Sequence, residues 1–257
     1  MITPLALFAP TSPIPPIPPA PDGSLQETLT QLLGSDSTSN PALDRLLDDY
    51  AASHATLAVV GGGFLLVLLL LTAFCWRQRR RSRADGAGPR TFEYTTYGRL
   101  GLMSLAVSAL LAVVVAANLG NALDSRPGFA GVVTSLGSPP ASGSQAEVQL
   151  EFSTWLASGD AATPPPIDER IDDRLAWQFP KAVITAVLLA LMATVGARTW
   201  RGLLQASRVP DRPRAARDRV QRVTAFGSVP VCLVLMLMVM GNTQASVAPL
   251  TMTMLFG

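Results

Sequence analysis

The chain has 257 residues, 49% of them hydrophobic and only 15% charged, and its mean hydropathy is +0.33. Soluble domains carry about a quarter charged residues, so the shortfall points to a membrane protein. Twenty basic residues balance 18 acidic ones, which argues against a nucleic-acid partner. Two cysteines and one histidine leave no material for a disulfide framework, a zinc site or a haem pocket, and no cofactor is expected.

Eight of the first 21 residues are proline and no basic n-region precedes them. This predicts a polyproline-II tail over 1–23 rather than a cleaved signal peptide. Ser24-Leu25-Gln26-Glu27 forms a capping box, which predicts a short helix with Leu25, Leu29, Leu32 and Leu33 on one face, stopped at Gly34. A second short amphipathic helix carries Leu43, Leu46, Leu47 and Tyr50.

Four apolar stretches follow, each near the roughly 20 residues needed to cross a bilayer. They are 57–76, 100–123, 179–197 and 224–248. Lys181 is close enough to a segment end to snorkel, and Pro230 is tolerable where neighbouring helices satisfy the freed carbonyl. Residues 1–56 carry a net charge of −5, 77–99 of +5, 124–178 of −5 and 198–223 of +6. The positive-inside rule puts both arginine-rich loops in the cytoplasm and both termini outside a bacterial plasma membrane.

The sequence matches itself at an offset of 124. Over positions 15–122, 24 of 108 residues are identical to those 124 later, against roughly 8% expected from composition. Asp44, Asp48 and Asp49 correspond to Asp168, Asp172 and Asp173, Trp76-Arg77 to Trp200-Arg201, and Asn118 to Asn242. The expected fold is therefore an all-α polytopic membrane protein. Its four transmembrane helices form two tandem parallel hairpin repeats, with short amphipathic helices on the outer side of each. Repeat 1 covers 24–123 and repeat 2 covers 148–248, with an outer linker at 124–147 and an outer tail at 249–257.

Serines, alanines and a glycine at 104, 108, 112, 116 and 120 in the second span recur every four residues. Ala182, Ala186, Ala190 and Thr194 do the same in the third. In lipid such stripes let backbones approach, so these two spans are expected to face each other.

The candidate sites are polar islands in this pattern. The Asp sextet (Asp44, Asp48, Asp49, Asp168, Asp172, Asp173) puts carboxylates on one face of each outer helix, suited to a cationic partner segment or Ca²⁺; the plainer reading is a solvated acidic face. Asn118 and Asn242 each need an interhelical hydrogen-bond partner. Asp49, Ser53 and His54 can be written as a hydrolytic triad, but no nucleophile elbow or oxyanion loop accompanies them. Arg77, Arg79, Arg80, Arg81 and Arg83, with Arg212, Arg214, Arg217 and Arg219 in the second loop, suit anionic lipid headgroups at the cytoplasmic face or an acidic partner. With no acid, base or metal ligand at mid-membrane, the chain reads as a non-enzymatic subunit or scaffold of a cell-envelope complex, with other membrane or envelope proteins as partners. The alternative is a small transporter or channel that works as a homo-oligomer.

Overall fold

The computed structural model describes residues 24–35, 39–84, 91–136, 142–207 and 216–256. Eight helices account for nearly all of them. In chain order they are α1 (Leu25–Gly34), α2 (Pro41–Ala84), α3 (Phe92–Leu123), α4 (Ser125–Ser135), α5 (Ser144–Ser158), α6 (Pro165–Ala206), α7 (Ala216–Val247) and α8 (Pro249–Phe256). Among the described residues there is no strand.

Four of these helices, α2, α3, α6 and α7, are long and apolar enough to cross a membrane. At most 22% of each apolar window is buried within the chain. The remaining surface is suited to lipid or to another membrane helix, as expected of a multi-pass integral membrane protein.

Local chemistry starts and stops the elements where the sequence suggests. The Ser24 hydroxyl accepts from the Glu27 amide at 3.2 Å, and α1 ends at Gly34. Helix α5 starts at Ser144 with Gly143 at φ +109° in the cap position, and no side-chain bond closes it. A side chain other than glycine would be strained there. Pro165 stands in the first turn of α6, where its missing amide costs nothing. Pro180 lies inside α6 and Pro230 inside α7 without ending either helix.

Three expectations change. The second amphipathic helix and the first span are one continuous 44-residue helix, α2, and their counterparts fuse likewise into the 42-residue α6. Nothing between Tyr50 and Leu57 breaks the helix: the intervening residues are Ala, Ser, His and Thr, so hydrogen bonding continues. The C-terminal segment expected as a tail at 249–257 forms α8, with Leu250 and Met254 buried. The linker expected at 124–147 contains α4, which buries Phe129 and Val133.

These short helices make a core of their own. Leu25 and Leu29 of α1 pack with Leu43, Leu46, Leu47 and Tyr50 of α2 and with Phe129 and Val133 of α4. Val148, Phe152, Trp155 and Leu156 of α5, Ile167 of α6, and Leu250 and Met254 of α8 complete the cluster. Each large side chain fully buried in this way contributes roughly 1.5–3 kcal/mol. The Trp155 indole N–H donates to the carbonyls of Asp160 and Ala162, at 3.0 and 2.9 Å. Its polar handle is thereby satisfied inside the core.

The spans pack as a row rather than a ring. Helix α2 pairs with α3, α6 pairs with α7, and the two hairpins meet through α2 and α7. Gly61 marks that contact: a Cβ there would stand 3.2 Å from Met240 of α7 and 3.0 Å from Val115 of α3. The expected pairing of α3 with α6 through small residues is not formed. Ser104 and Ser108 instead face α2, where the Ser104 hydroxyl donates to the Leu68 carbonyl at 2.8 Å. Ala116 and Gly120 of α3, and Ala186, Ala190 and Thr194 of α6, are exposed. The same carbonyl accepts from Thr72 at 2.9 Å, so the Ser104 hydroxyl shares a backbone acceptor on its own hairpin partner.

Candidate functional site

The helical core sits at the end of the bundle opposite the arginine-rich segments, and a polar cluster lies beneath it. His54 on α2 and Asn118 on α3 meet with Nδ1 and Oδ1 2.6 Å apart. The Asn118 amide nitrogen donates to the Val114 carbonyl at 2.8 Å, which leaves its oxygen as acceptor and makes Nδ1 of His54 the donor. The Tyr50 ring lies edge-on to His54, with centroids 4.3 Å apart, and edge-on to Phe129 of α4 at 5.4 Å. Gly128 lets Asn121 and the Tyr50 hydroxyl approach α4: a Cβ there would stand 2.7 Å from Asn121 Oδ1 and 2.9 Å from Tyr50 Oη. Asn118 thus has the interhelical partner expected of it. The side chain of Asn242, in contrast, makes no hydrogen bond among the described residues, and only its carbonyl is used, by Ser246.

The triad on paper does not assemble. Ser53 donates to the Tyr50 carbonyl at 2.7 Å, His54 faces Asn118, and Asp49 turns to α8. Asp49 accepts the amides of Thr251 at 2.7 Å and Leu250 at 3.4 Å. It caps a helix some 200 residues away, where a carboxylate also meets the positive end of the helix dipole. Asp49 precedes the apolar segment; burial raises its pKa above the ordinary carboxylate value, opposed by the two amides and by Arg45.

The other aspartates do not converge with it. Asp168 accepts from the Thr163 hydroxyl at the start of α6, and Asp44, Asp48, Asp172 and Asp173 are exposed. Among the described residues no group of three or more His, Cys, Asp or Glu side chains is placed to hold a metal ion.

On α6 the matching surface is an open groove of about 580 Å³, lined by Arg170, Asp173, Arg174, Trp177 and Gln178 with Thr253 and Phe256 of α8. Arg170 is tied to Glu151 at 3.1 Å and lies 3.6 Å from Glu147. Burial lowers the Arg174 pKa, and its guanidinium has no ion-pair or hydrogen-bond partner among the described residues. Trp177 is 65% exposed, with the Lys181 ammonium 4.4 Å from its ring centroid. The buried Thr253 hydroxyl has no hydrogen-bond partner among the described residues.

At the arginine end, Arg77, Arg79, Arg80, Arg81 and Arg83 lie on the last turns of α2, where positive charge favours the helix C-terminus. A second groove of about 750 Å³ runs there from Leu69, Thr72 and Leu105 past Trp76 to Arg77, Arg80 and Arg81. The groove thus joins apolar side chains to three guanidinium groups. Arg79 folds the other way, donating to the Tyr94 hydroxyl at 2.9 Å and stacking on its ring. Of the second cluster, Arg219 is exposed on α7; Arg212 and Arg214 lie outside the described residues, as does the side chain of Arg217. Cys75 and Cys232 are both free thiols.

Compared with known proteins, the chain matches no family model, no curated protein and no solved structure.

The groove on α6 and the cap formed by Asp49 are the two features that sequence reasoning missed. The cap had one legible signal, a proline at 249 that suits a first helical turn. The groove had none, because it depends on which helices are absent from its neighbourhood.

Proposed function

We propose that this chain is a non-enzymatic subunit or scaffold of a cell-envelope membrane complex, built by duplication of one two-span unit. The observation that carries the reading is the packed helical core at the acidic end, set on four spans that bury little of themselves. A folded layer of short helices outside the membrane is what a docking protein needs. Its described side chains make caps, ring contacts and backbone bonds, and Asp49, Ser53 and His54 each face a different partner.

The duplication is supported by element boundaries. Helices α2 and α6 start at 41 and 165, α3 and α7 end at 123 and 247, and α4 and α8 start at 125 and 249; each pair is offset by 124. The hairpins also agree in detail. Ser104 and Ser228, 124 residues apart, both turn to the preceding span of their hairpin, although Ser104 donates to the Leu68 carbonyl there while Ser228 packs on Gly196 and donates to Ala225 of its own helix.

The charge pattern supports a plasma-membrane location with both termini outside. A cysteine at Thr30 should then label from outside intact cells, while one at exposed Ala84 should label only after permeabilisation. The reverse pattern would overturn the orientation.

Membrane-depth chemistry weighs against the transporter or channel reading. Ser108, Thr185 and Ser228 spend their hydroxyls on carbonyls of their own helix, at 2.7–2.8 Å, and Ser104 spends its own on a neighbour's. Among the described residues these hydroxyls are therefore not free to line a polar path. The deciding experiment is gentle extraction of tagged chain from native membranes, followed by identification of what accompanies it at fixed stoichiometry. A stoichiometric envelope protein is expected. A chain that purifies without one and conducts ions or solutes in liposomes would replace this reading with the transporter one.

A further inference from the structure

Apart from the packing of the corresponding outer helices α1 and α5 on each other, the contacts between the two halves are one-sided. Helix α2 packs against α5, α7 and α8 of the second half, yet α6 makes no comparable packing with α1, α3 or α4 of the first. Contacts within each half do correspond: α1 with α4 as α5 with α8, α2 with α4 as α6 with α8, and α3 with α4 as α7 with α8. Two like units joined through unlike surfaces form a heterologous contact, which leaves one copy of each surface unused at the two ends. Here those surfaces are the α6 face, corresponding to α2, and the α1/α3/α4 face, corresponding to α5/α7/α8.

We propose that the α6 face of one chain receives the α1/α3/α4 face of a second copy, repeating head to tail the contact already made within the chain. This rests on the duplicated-unit reading. Three features of the free surfaces fit it. The α6 face is an open groove with Trp177 65% exposed and Arg174 without a partner among the described residues, whereas the corresponding Ser53 and Tyr50 are 1% and 4% exposed.

Within the membrane, the contact marked by Gly61 and Met240 translates to Thr185 and Ala116; Thr185 is already buried within its own hairpin, so the approach falls to its exposed neighbours. Ala116 and Gly120 on α3, and Ala186 and Ala190 on α6, are exposed and small enough to let these helices pack closely. Above the membrane, the Asp49 bond to residues 250 and 251 translates to Asp173 facing Arg126 and Pro127. Pro127 offers no amide, but Arg126 and Asp173 are both exposed and opposite in charge, so an ion pair stands where the cap stood. The small-residue stripes on α3 and α6 thus meet between chains.

The test uses the full chain with Cys75 and Cys232 replaced by serine. Pro127→Cys and Asp173→Cys are placed in separate chains carrying different tags, co-expressed, and treated with a short bifunctional thiol reagent in native membranes. The expected result is a crosslink joining the two tags, with neither variant crosslinking to itself, and wild-type particles in nanodiscs whose mass is a multiple of 27.1 kDa. Monomeric wild-type particles overturn the proposal, as do crosslinks confined to 127–127 or 173–173 pairs, which mark a two-fold interface instead. The duplication fails separately, if an experimental structure shows that 41–123 and 165–247 do not superpose.

Discussion

The first turns of α2 and α6 carry the same Asp-x-x-x-Asp-Asp pattern and do different work. On α2, Asp49 is half-buried and holds the N-terminus of α8, while Tyr50 fills the space beside Phe129 and His54. On α6, Asp173 is exposed and Arg174 borders an open groove. The difference lies in the neighbours: α2 has the second half of the chain against it, and α6 has no counterpart on that side. A repeated motif therefore states what a surface can do, and the packing around it states what it does.

The largest expected break in this comparison is at Tyr50. Tyr50→Ala removes a buried ring in contact with two others and should cost about 3–5 kcal/mol, as other buried aromatic truncations do. Arg174→Ala, at the corresponding position, should stay within about 0.5 kcal/mol. Unfolding by denaturing detergent from mild micelles compares the two. Equal losses would mean that the α6 groove is packed as tightly as the α2 face.

A smaller contrast is expected at the aspartates. Asp49→Ala removes the α8 cap and should cost about 0.5–2 kcal/mol, whereas Asp173→Ala in the isolated chain should change stability by less than about 0.5 kcal/mol. The pH dependence sharpens the contrast. Because burial raises the Asp49 pKa in the folded chain, the folded state binds its proton more tightly than the unfolded state. Ionisation there opposes folding, and the opposition is relieved as pH falls through the folded value toward 3.8. The wild type should gain stability relative to Asp49→Asn over that window. A flat difference would show that the carboxylate is not desolvated.

Much of this molecule is legible in local chemistry. Continuous apolar runs located all four spans, because length and lack of charge suffice for that inference. Ser24 and Glu27 marked the start of α1, and Gly34 its end, because a cap depends on a few adjacent residues. The hydrophobic faces of α1 and the first turns of α2 named part of the core before any partner was known. The candidate site was less legible. Asn118 was recognised as needing a partner, but His54 as that partner depends on the register of α2 against α3.

What the sequence by itself determined is the membrane character of the chain, its four apolar helices, and the amphipathic faces that make its core. These follow from hydropathy, periodicity and capping, which act over one or two helical turns. Only the tertiary structure decided that α2 and α6 run unbroken out of their apolar segments, and that the C-terminal residues fold back as a helix under Asp49. It alone decided that the hairpins join through α2 and α7 rather than through the small-residue stripes of α3 and α6. Several faces of these helices are apolar and small enough to pack, so periodicity offers more than one pairing. The choice among them falls to contacts more than a hundred residues apart in sequence, such as the Asn40 amide on the Leu156 carbonyl at 2.8 Å and the Asp49 carboxylate on the Thr251 amide.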